Sequence, residues 1–471
     1  MKILTLAQKP EKIKCDLLVL GLFEKQYDYS SLDRLIGGAI RKLKFSGEFG
    51  KTKLITTLGN LPSQNILLVG LGKKKEFTDE KLRSISGKIA RAAKENNHKT
   101  VVTNLNSHGL IPVLEGTILS LYTFERKSKP DKKKIDSFSL LVKPSEIAKT
   151  QKVIKKIQII CNNVCLVRDL VNQPASELTP KEFAKIAKKI KGVRTKVWGK
   201  SELTRRGFNA HLAVSRGSGE EPKLVIMEYG KKGKPFVLLG KGVTFDAGGL
   251  DVKPWDAMKD MKCDMAGAAT VLGTMKTLAE LKLPVHVIGL MPLSENMLGK
   301  DAYKQGDIIK SFGGKTIEIA HTDAEGRLLM ADSLGYADTL KPSGIIDLAT
   351  LTGSCVVALG YSIAAVMGDK KIISKLTSAS KKTDESIWEL PLTDEFKDAV
   401  KSQIADVTNS AGRGVGAGSS TAGAFLSNFT KSPWAHIDIA GPAWYLKDNS
   451  YTKTGGTGFG VRLLTKFFEE M

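Results

Sequence analysis

Val237-Leu238-Leu239-Gly240-Lys241-Gly242-Val243-Thr244-Phe245-Asp246-Ala247-Gly248-Gly249 is the stretch on which the fold turns: a short apolar strand that runs into an unusually polar, glycine-rich loop. Two more apolar runs end the same way. Residues 316–320 lead into His321-Thr322-Asp323-Ala324-Glu325-Gly326-Arg327, and residues 344–348 into Ala349-Thr350-Leu351-Thr352-Gly353. From Thr179-Pro180, a cap followed by proline at the first helical position, strands and helices alternate to the end of the chain, which reads as an α/β arrangement. In open α/β sheets ligands gather at the carboxyl ends of strands, so chemistry is to be sought in these three loops.

Upstream the same alternation recurs. Residues 16–22, 53–58, 65–71, 100–105 and 138–142 read as strands, with a helix at 78–96 opened by Thr78 and a long helical pattern at 146–171. The expected organisation is an N-terminal α/β domain at 1–150, a connecting helix at 151–172 and a larger domain at 173–471, with no internal repeat. A chain of 471 residues suits two or three domains at roughly 150 residues each. Hydrophobic residues at 42% and charged residues at 26% are near globular averages, and 16 prolines are too few for a disordered or fibrous chain.

Formal charge is +23, and residues 1–150 contribute +13 of it through 28 basic and 15 acidic side chains. The runs Lys73 to Lys75 and Lys132 to Lys134 lack interleaved aromatics that would stack on bases, so a solvated lysine surface is expected and nucleic acid is the alternative. Five scattered cysteines without a CxxC pair fit a reducing cytosol. The opening apolar stretch meets Lys9 and Glu11 too soon for a signal-peptide core. Residues 348–368 are uncharged and long enough to cross a bilayer, but threonines, serine and glycines interrupt them, so strand, turn and buried helix are expected there.

Asp246, Asp264, Asp323 and Glu325 place four carboxylates beside apolar runs, two of them within one tight turn. Dry and unpaired, they would repel one another severely. They read either as solvated or ion-paired acids or as a cage for two divalent ions, which in hydrolases sit roughly 3.5–4 Å apart. Lys241 lies before Asp246 on a glycine-rich turn and Lys253 lies after it behind Gly248-Gly249, so both fold back onto one place. A lysine amine ligates a metal only when neutral, which adjacent cations enforce; a second lysine can stay charged and polarise a carbonyl oxygen. Arg327, at the start of the apolar helix 328–334, either forks an anion or sits on the helix surface.

These loops, with Lys253-Pro254, Met258, Met261-Lys262-Cys263-Asp264-Met265 and Thr322-Asp323-Ala324-Glu325-Gly326-Arg327-Leu328, resemble the leucyl aminopeptidase family, the dinuclear-metal cytosol aminopeptidases of the M17 type. The likeness reaches Arg168-Asp169-Leu170-Val171-Asn172 with Pro174 upstream, and Pro433-Trp434-Ala435-His436-Ile437-Asp438-Ile439-Ala440-Gly441 downstream. Residues 1–150 resemble the family's variable N-terminal domain only in size and α/β pattern. The resemblance implies two domains, a smaller macro-like α/β domain and a larger α/β/α catalytic domain around a central mixed sheet. A macro-like module alone would leave the larger part of the chain unused.

The resemblance also implies roles. Lys241 and Asp264 would ligate one metal, Asp323 would also serve a metal, and Asp246 and Glu325 would bridge the pair, Mn2+ or Zn2+. Lys253 and Arg327 would be catalytic, the first stabilising the oxyanion and the second holding a bicarbonate as general base. With no candidate histidine base, the chain would need metal-lowered water acidity and a borrowed anion to move the proton. Met261, Thr350, Leu351 and Gly353 match substrate-pocket positions. The implied enzyme is a cytoplasmic homohexamer with no membrane partner that removes leucine and similar apolar residues from peptide N-termini. His321 stands where the family usually has Asn, and Ala247 where it usually has Ser. His321 borders the leaving-residue side and is read as a non-ligand, because oxygen and lysine donors already fill the metal shell.

Other signals read as bland. Gly70-Leu71-Gly72 lacks the third glycine of a dinucleotide loop, and Gly314-Lys315-Thr316 lacks the first glycine of a phosphate loop. Gly412 to Gly418 is expected to border the active site ahead of a helix at 421–429, His436 to be a core histidine, and Cys161 and Cys165 to be packing residues.

Overall fold

Apolar runs bounded by glycine, proline and asparagine build two large sheets, one in each of two units. The computed structural model describes residues 1–25, 33–34, 38, 42–412 and 414–471. They form two units: Met1–Cys161 with Asp448–Lys453, and Asn162–Lys447 with Thr454–Met471. The division falls inside the helix Ile147–Asn172, which the helical pattern at 146–171 anticipates.

In the first unit β1 (Lys2–Leu6), β2 (Leu17–Phe23), β3 (Thr52–Thr56), β4 (Asn65–Gly72), β5 (Thr100–Thr103) and β6 (Ser137–Leu141) form a sheet ordered β1-β6-β5-β2-β4-β3. Among the described pairs only β3–β4 is antiparallel. Every residue of β2 is buried, as the interior of a parallel sheet demands. Thr78 caps the helix Asp79–Glu95 by accepting from the Lys81 N–H, an arrangement worth about 1 kcal/mol. The helix Leu110–Ser120 is not foreseen from the sequence, because burial of residues all round it leaves no amphipathic period to read.

The second unit holds β7 (Arg194–Trp198), β8 (Lys223–Tyr229), β9 (Phe236–Gly240), β10 (Gly242–Asp246), β11 (Val287–Asn296), β12 (Ile308–Lys310), β13 (Thr316–Glu318), β14 (Gly344–Ala349), β15 (Ala364–Gly368), β16 (Ile387–Glu389), β17 (Val407–Thr408) and β18 (Trp434–Asp438). Nine of them form a mixed sheet ordered β16-β15-β18-β14-β9-β11-β8-β7, with β10 paired to β11. The middle strands β18, β14, β9 and β11 run parallel. From β9 the chain reaches β11 by way of the helix Ala266–Leu281, and it later enters β14 on the other flank of β9 after the helix Gly326–Thr339. Strand order therefore reverses about β9, and its carboxyl end is the place where ligands bind in sheets of this kind.

One expected strand lies elsewhere. β13, at the start of residues 316–320, pairs with β12 and β17 in a separate three-stranded sheet. Within it only Ile317 is buried, so it has no second apolar face to offer the central sheet. Gly314 sits in the hairpin turn between β12 and β13, its N–H donating to the Ser311 carbonyl. Residues 348–368 form the end of β14, the helix Gly353–Leu359 and β15. No described helix is long and apolar enough to cross a membrane. After the glycine-rich segment the next helix is Gly418–Ser427, earlier than the expected 421–429.

Candidate metal centre

Lys241 occupies the one position between β9 and β10, its N–H donating to the Leu348 carbonyl of β14 and its carbonyl accepting from Ala268 at 2.8 Å. The side chain lies flat on Gly326, where a Cβ would come within 2.3 Å of its Cε, so that position has room only for glycine. Its Nζ lies 2.7 Å from Asp264 Oδ2 and 2.8 Å from Glu325 Oε1, and donates to Asp264 Oδ1 and the Thr350 carbonyl. Gly248 and Gly249, at φ +93° and +66°, turn the next loop back so that Lys253 Nζ reaches Asp246 Oδ2 at 2.9 Å and Asp323 Oδ1 at 2.5 Å. Ligand atoms of Asp246, Asp323 and Glu325 lie within 4.8 Å of one another. Six of the seven candidate residues thus converge, and the seventh, Arg327, lies two positions beyond Glu325, whose charge acts on it.

Residues to which sequence reasoning gives no role, Asn296, Asp251 and Tyr303 unmentioned by it altogether, hold these loops. Asn296, at the end of β11, donates from Nδ2 to Asp246 Oδ1 (2.8 Å) and to the Thr322 carbonyl (3.1 Å), tying two of the candidate loops together. The Gly248 N–H donates to the same Asp246 oxygen. Thr322 Oγ1 donates to the Gly248 carbonyl, Asp251 Oδ2 accepts from the Thr322 N–H, and the Tyr303 hydroxyl donates to the Thr322 carbonyl. Asp438, fully buried on β18, accepts from the Leu351 N–H and the Thr352 hydroxyl and so fixes the loop after β14.

Burial and mutual repulsion set the electrostatics. Burial, reinforced by Glu325, pushes Asp246 up to about 7, and burial holds Asp264 well above the usual carboxylate range against the pull of Lys241. Asp323 is raised for the same reasons, burial first and then Glu325. For Glu325 burial is outweighed by Lys241 and Lys253, which hold it low. Burial would lower both lysines; Asp264 and Glu325 outweigh it at Lys241, and Asp246 and Glu325 at Lys253, so both are raised. Asp264 Oδ2, Asp323 Oδ1 and Glu325 Oε1 are buried within ion-pair distance of ammonium groups, yet at angles that make no hydrogen bond. Four carboxylates against two lysines, with oxygens to spare, make a donor set that fits divalent cations.

Arg327 is the second residue of the helix Gly326–Thr339, its Nη1 donating to the Asn409 carbonyl at 2.6 Å. Its Nε is buried without a partner among the described residues, and burial lowers its pKa to about 10. Thr350 hydrogen-bonds Asp264 Oδ1, Leu351 is half-buried against the core, Gly353 faces open space and Met261 opens the turn that carries Asp264. His321 is half-exposed; its Nδ1 accepts from the Asp323 N–H and lies 3.4 Å from Asp251, apart from the converging ligand atoms. His436 is buried against Asp347 in the sheet, Nδ1 to Oδ1 2.5 Å.

Closely packed carboxylates and lysines at the switch point of an α/β sheet are the equipment of a two-metal hydrolase. Comparison with known proteins narrows the class. The sequence profile of the cytosol aminopeptidase family matches with its catalytic domain over residues 165–465 and with its N-terminal domain over residues 16–130. A probable cytosol aminopeptidase of Geobacter sp. (strain M21) is 40% identical over 489 residues, covering 99% of each chain. One of Cenarchaeum symbiosum (strain A) is 41% identical over 457 residues, covering 93% of this chain and 92% of its own. Among solved structures, a tomato leucine aminopeptidase mutant superposes with TM-score 0.88 at 29% identity, covering 100% of this chain and 97% of the other. The bottromycin maturation enzyme BotP in complex with Mn superposes with TM-score 0.87 at 31% identity, covering 97% and 99%. The chain belongs to the cytosol aminopeptidase family. It is a metal-dependent aminopeptidase.

Proposed function

We infer that the chain removes N-terminal residues, leucine and similar apolar residues by preference, from peptides. The observation that carries this is the convergence of Asp246, Asp323 and Glu325 within 4.8 Å, flanked by Lys241, Asp264 and Lys253. Similarity to the tomato leucine aminopeptidase supports the leucine preference, and the half-buried Leu351 beside Thr350 and Gly353 supports an apolar pocket together with Met261. Lys241 and Asp264 would hold one ion and Asp323 another, with Asp246 and Glu325 bridging; the Mn in BotP supports Mn2+, with Zn2+ as the other candidate. Bound there, such ions supply a Lewis acid and a water of lowered pKa.

The protein's own groups do the rest. Lys253 keeps its proton beside Asp246 and Asp323 and would donate to the oxyanion as the peptide carbonyl is attacked. Arg327, anchored by the Asn409 carbonyl and with its Nε unpartnered among the described residues, is the residue that would hold a bicarbonate, whose chemistry would supply a general base. Among the described residues no histidine stands with the converging groups to do so. The exposed Leu250, Val252 and Trp255, the last 81% accessible, support burial of this segment against another chain, and we propose that copies associate as a homohexamer. Five free cysteines and similarity to cytosol aminopeptidases support a cytoplasmic location.

The test is a panel of aminoacyl amides. Leucyl and methionyl substrates should exceed glutamyl and lysyl ones by about ten-fold or more in kcat/KM. Equal rates would refute the apolar preference. Sedimentation showing only a 51.1 kDa species would refute the hexamer.

A further inference from the structure

We propose that Asn409 is a positioning residue that fixes the metal-ligand loop and Arg327 as one unit, an inference that rests on the two-metal reading above. β13 pairs with β17 only through Ile317–Val407 and Glu318–Thr408, and the chain then carries Asp323 and Glu325 past the end of that ladder. Asn409 takes over where the ladder stops. Its N–H donates to the Glu318 carbonyl at 3.0 Å. Its side chain, fully buried, then behaves as one more peptide group: Oδ1 accepts from the N–H of Ala320 (2.8 Å) and His321 (3.2 Å), and Nδ2 donates to the carbonyls of His321 (2.7 Å) and Ala324 (3.4 Å). Its own carbonyl receives Arg327 Nη1 at 2.6 Å. One residue therefore closes both ends of the segment 320–327 onto the small sheet.

The chemistry restricts what can stand there. An amide supplies a donor and an acceptor side by side, as a peptide group does. Aspartate, of nearly the same size, would turn an acceptor against the carbonyls of His321 and Ala324, and alanine would leave four loop groups unpaired. Asp323 and Glu325 would then be free to drift, and Arg327 with them. The small three-stranded sheet, remote from the central strand ends in topology, is by this account part of the catalytic apparatus.

The test uses full-length Asn409→Ala and Asn409→Asp. Mn2+ affinity is read by chelator competition, the melting temperature is read on metal-free protein, and kcat and KM are read on leucyl-p-nitroanilide. Affinity should fall by about 10–100-fold in both variants, as for other residues that orient metal ligands, with the fold retained and the melting temperature lowered by several degrees, because the unpaired loop groups also cost stability. kcat should fall while KM stays within about two-fold, and the kcat penalty should shrink in an Arg327→Ala background, because the two residues act through one unit. Mn2+ affinity within about two-fold of the parent in both variants would overturn the proposal. So would loss of the fold in both, since Asn409 would then serve the fold and not the site. If the parent binds Mn2+ but hydrolyses no aminoacyl substrate, the peptidase reading fails while the affinity comparison still decides the role of Asn409.

Discussion

Lys73 to Lys75 follow β4 in the first unit and Lys241 follows β9 in the second, both just beyond strands that end in glycine. The Lys73 side chain is 64% exposed and meets Glu76 at 3.4 Å, a surface pair that adds little. The Lys241 side chain is 4% exposed and wedged between Asp264 and Glu325. Removing one partner of so buried a pair costs about 3–5 kcal/mol. The difference lies in what the topology delivers: two further strand ends and two helix starts bring carboxylates to Lys241, whereas Lys73 meets only its own turn. A lysine after a glycine-bearing strand becomes part of a site only where other loops converge on it.

The largest expected effect attacks that convergence. Asp264→Ala or Glu325→Ala should lose metal at one or both positions and drop hydrolysis to background while the fold survives, checked by elemental analysis and circular dichroism. Lys253→Ala comes next. It should lose about 10²–10³-fold in kcat with KM little changed, since an oxyanion donor acts on the transition state. A loss confined to KM would remove Lys253 from that role.

The candidate ligands are legible in the sequence because their loops pack charged residues among glycines at the ends of apolar runs, and because those words resemble a known family. The braces are not. Asn296 meets Asp246 across 50 positions and Asn409 meets His321 across 88, and a polar residue with one distant partner leaves no periodic trace. The fold class was legible from alternation, but the placement of residues 316–320 was not: a short strand with one buried residue serves a small sheet as well as a large one. The helix Leu110–Ser120 was hidden because it is apolar and mostly buried on every face, and even its exposed position, Ile111, is apolar.

Smaller effects follow from single buried pairs. Burial pulls the His436 imidazole down, but Asp347 outweighs it and raises the pKa above 6.5. A group raised in the folded state stabilises fully below its unfolded value and loses that stabilisation as pH climbs through the folded one. The melting-temperature gap between the parent and His436→Gln should therefore be widest at acidic pH and narrow toward alkaline pH; a gap constant from about pH 6 to about pH 9 would contradict the pairing. The smallest effect belongs to the exposed lysines. Reversing Lys73 to Lys75 should leave hydrolysis within about two-fold, and duplex DNA should be retained only at low salt if at all, because phosphate contacts release counterions. Retention at physiological salt would give the +13 charge of residues 1–150 a nucleic-acid partner.

The central claim is that Lys241, Asp246, Asp264, Asp323 and Glu325 form one two-metal cage that drives hydrolysis. Its most direct test joins elemental analysis to leucyl-peptide hydrolysis on the parent and Glu325→Ala, before chelation, after it and after Mn2+ or Zn2+ is restored. The account predicts about two ions per parent chain, activity that vanishes with them and returns with them, and neither property in the variant. Two tightly held ions with normal turnover in folded Glu325→Ala, or undiminished hydrolysis by metal-free parent, would contradict it.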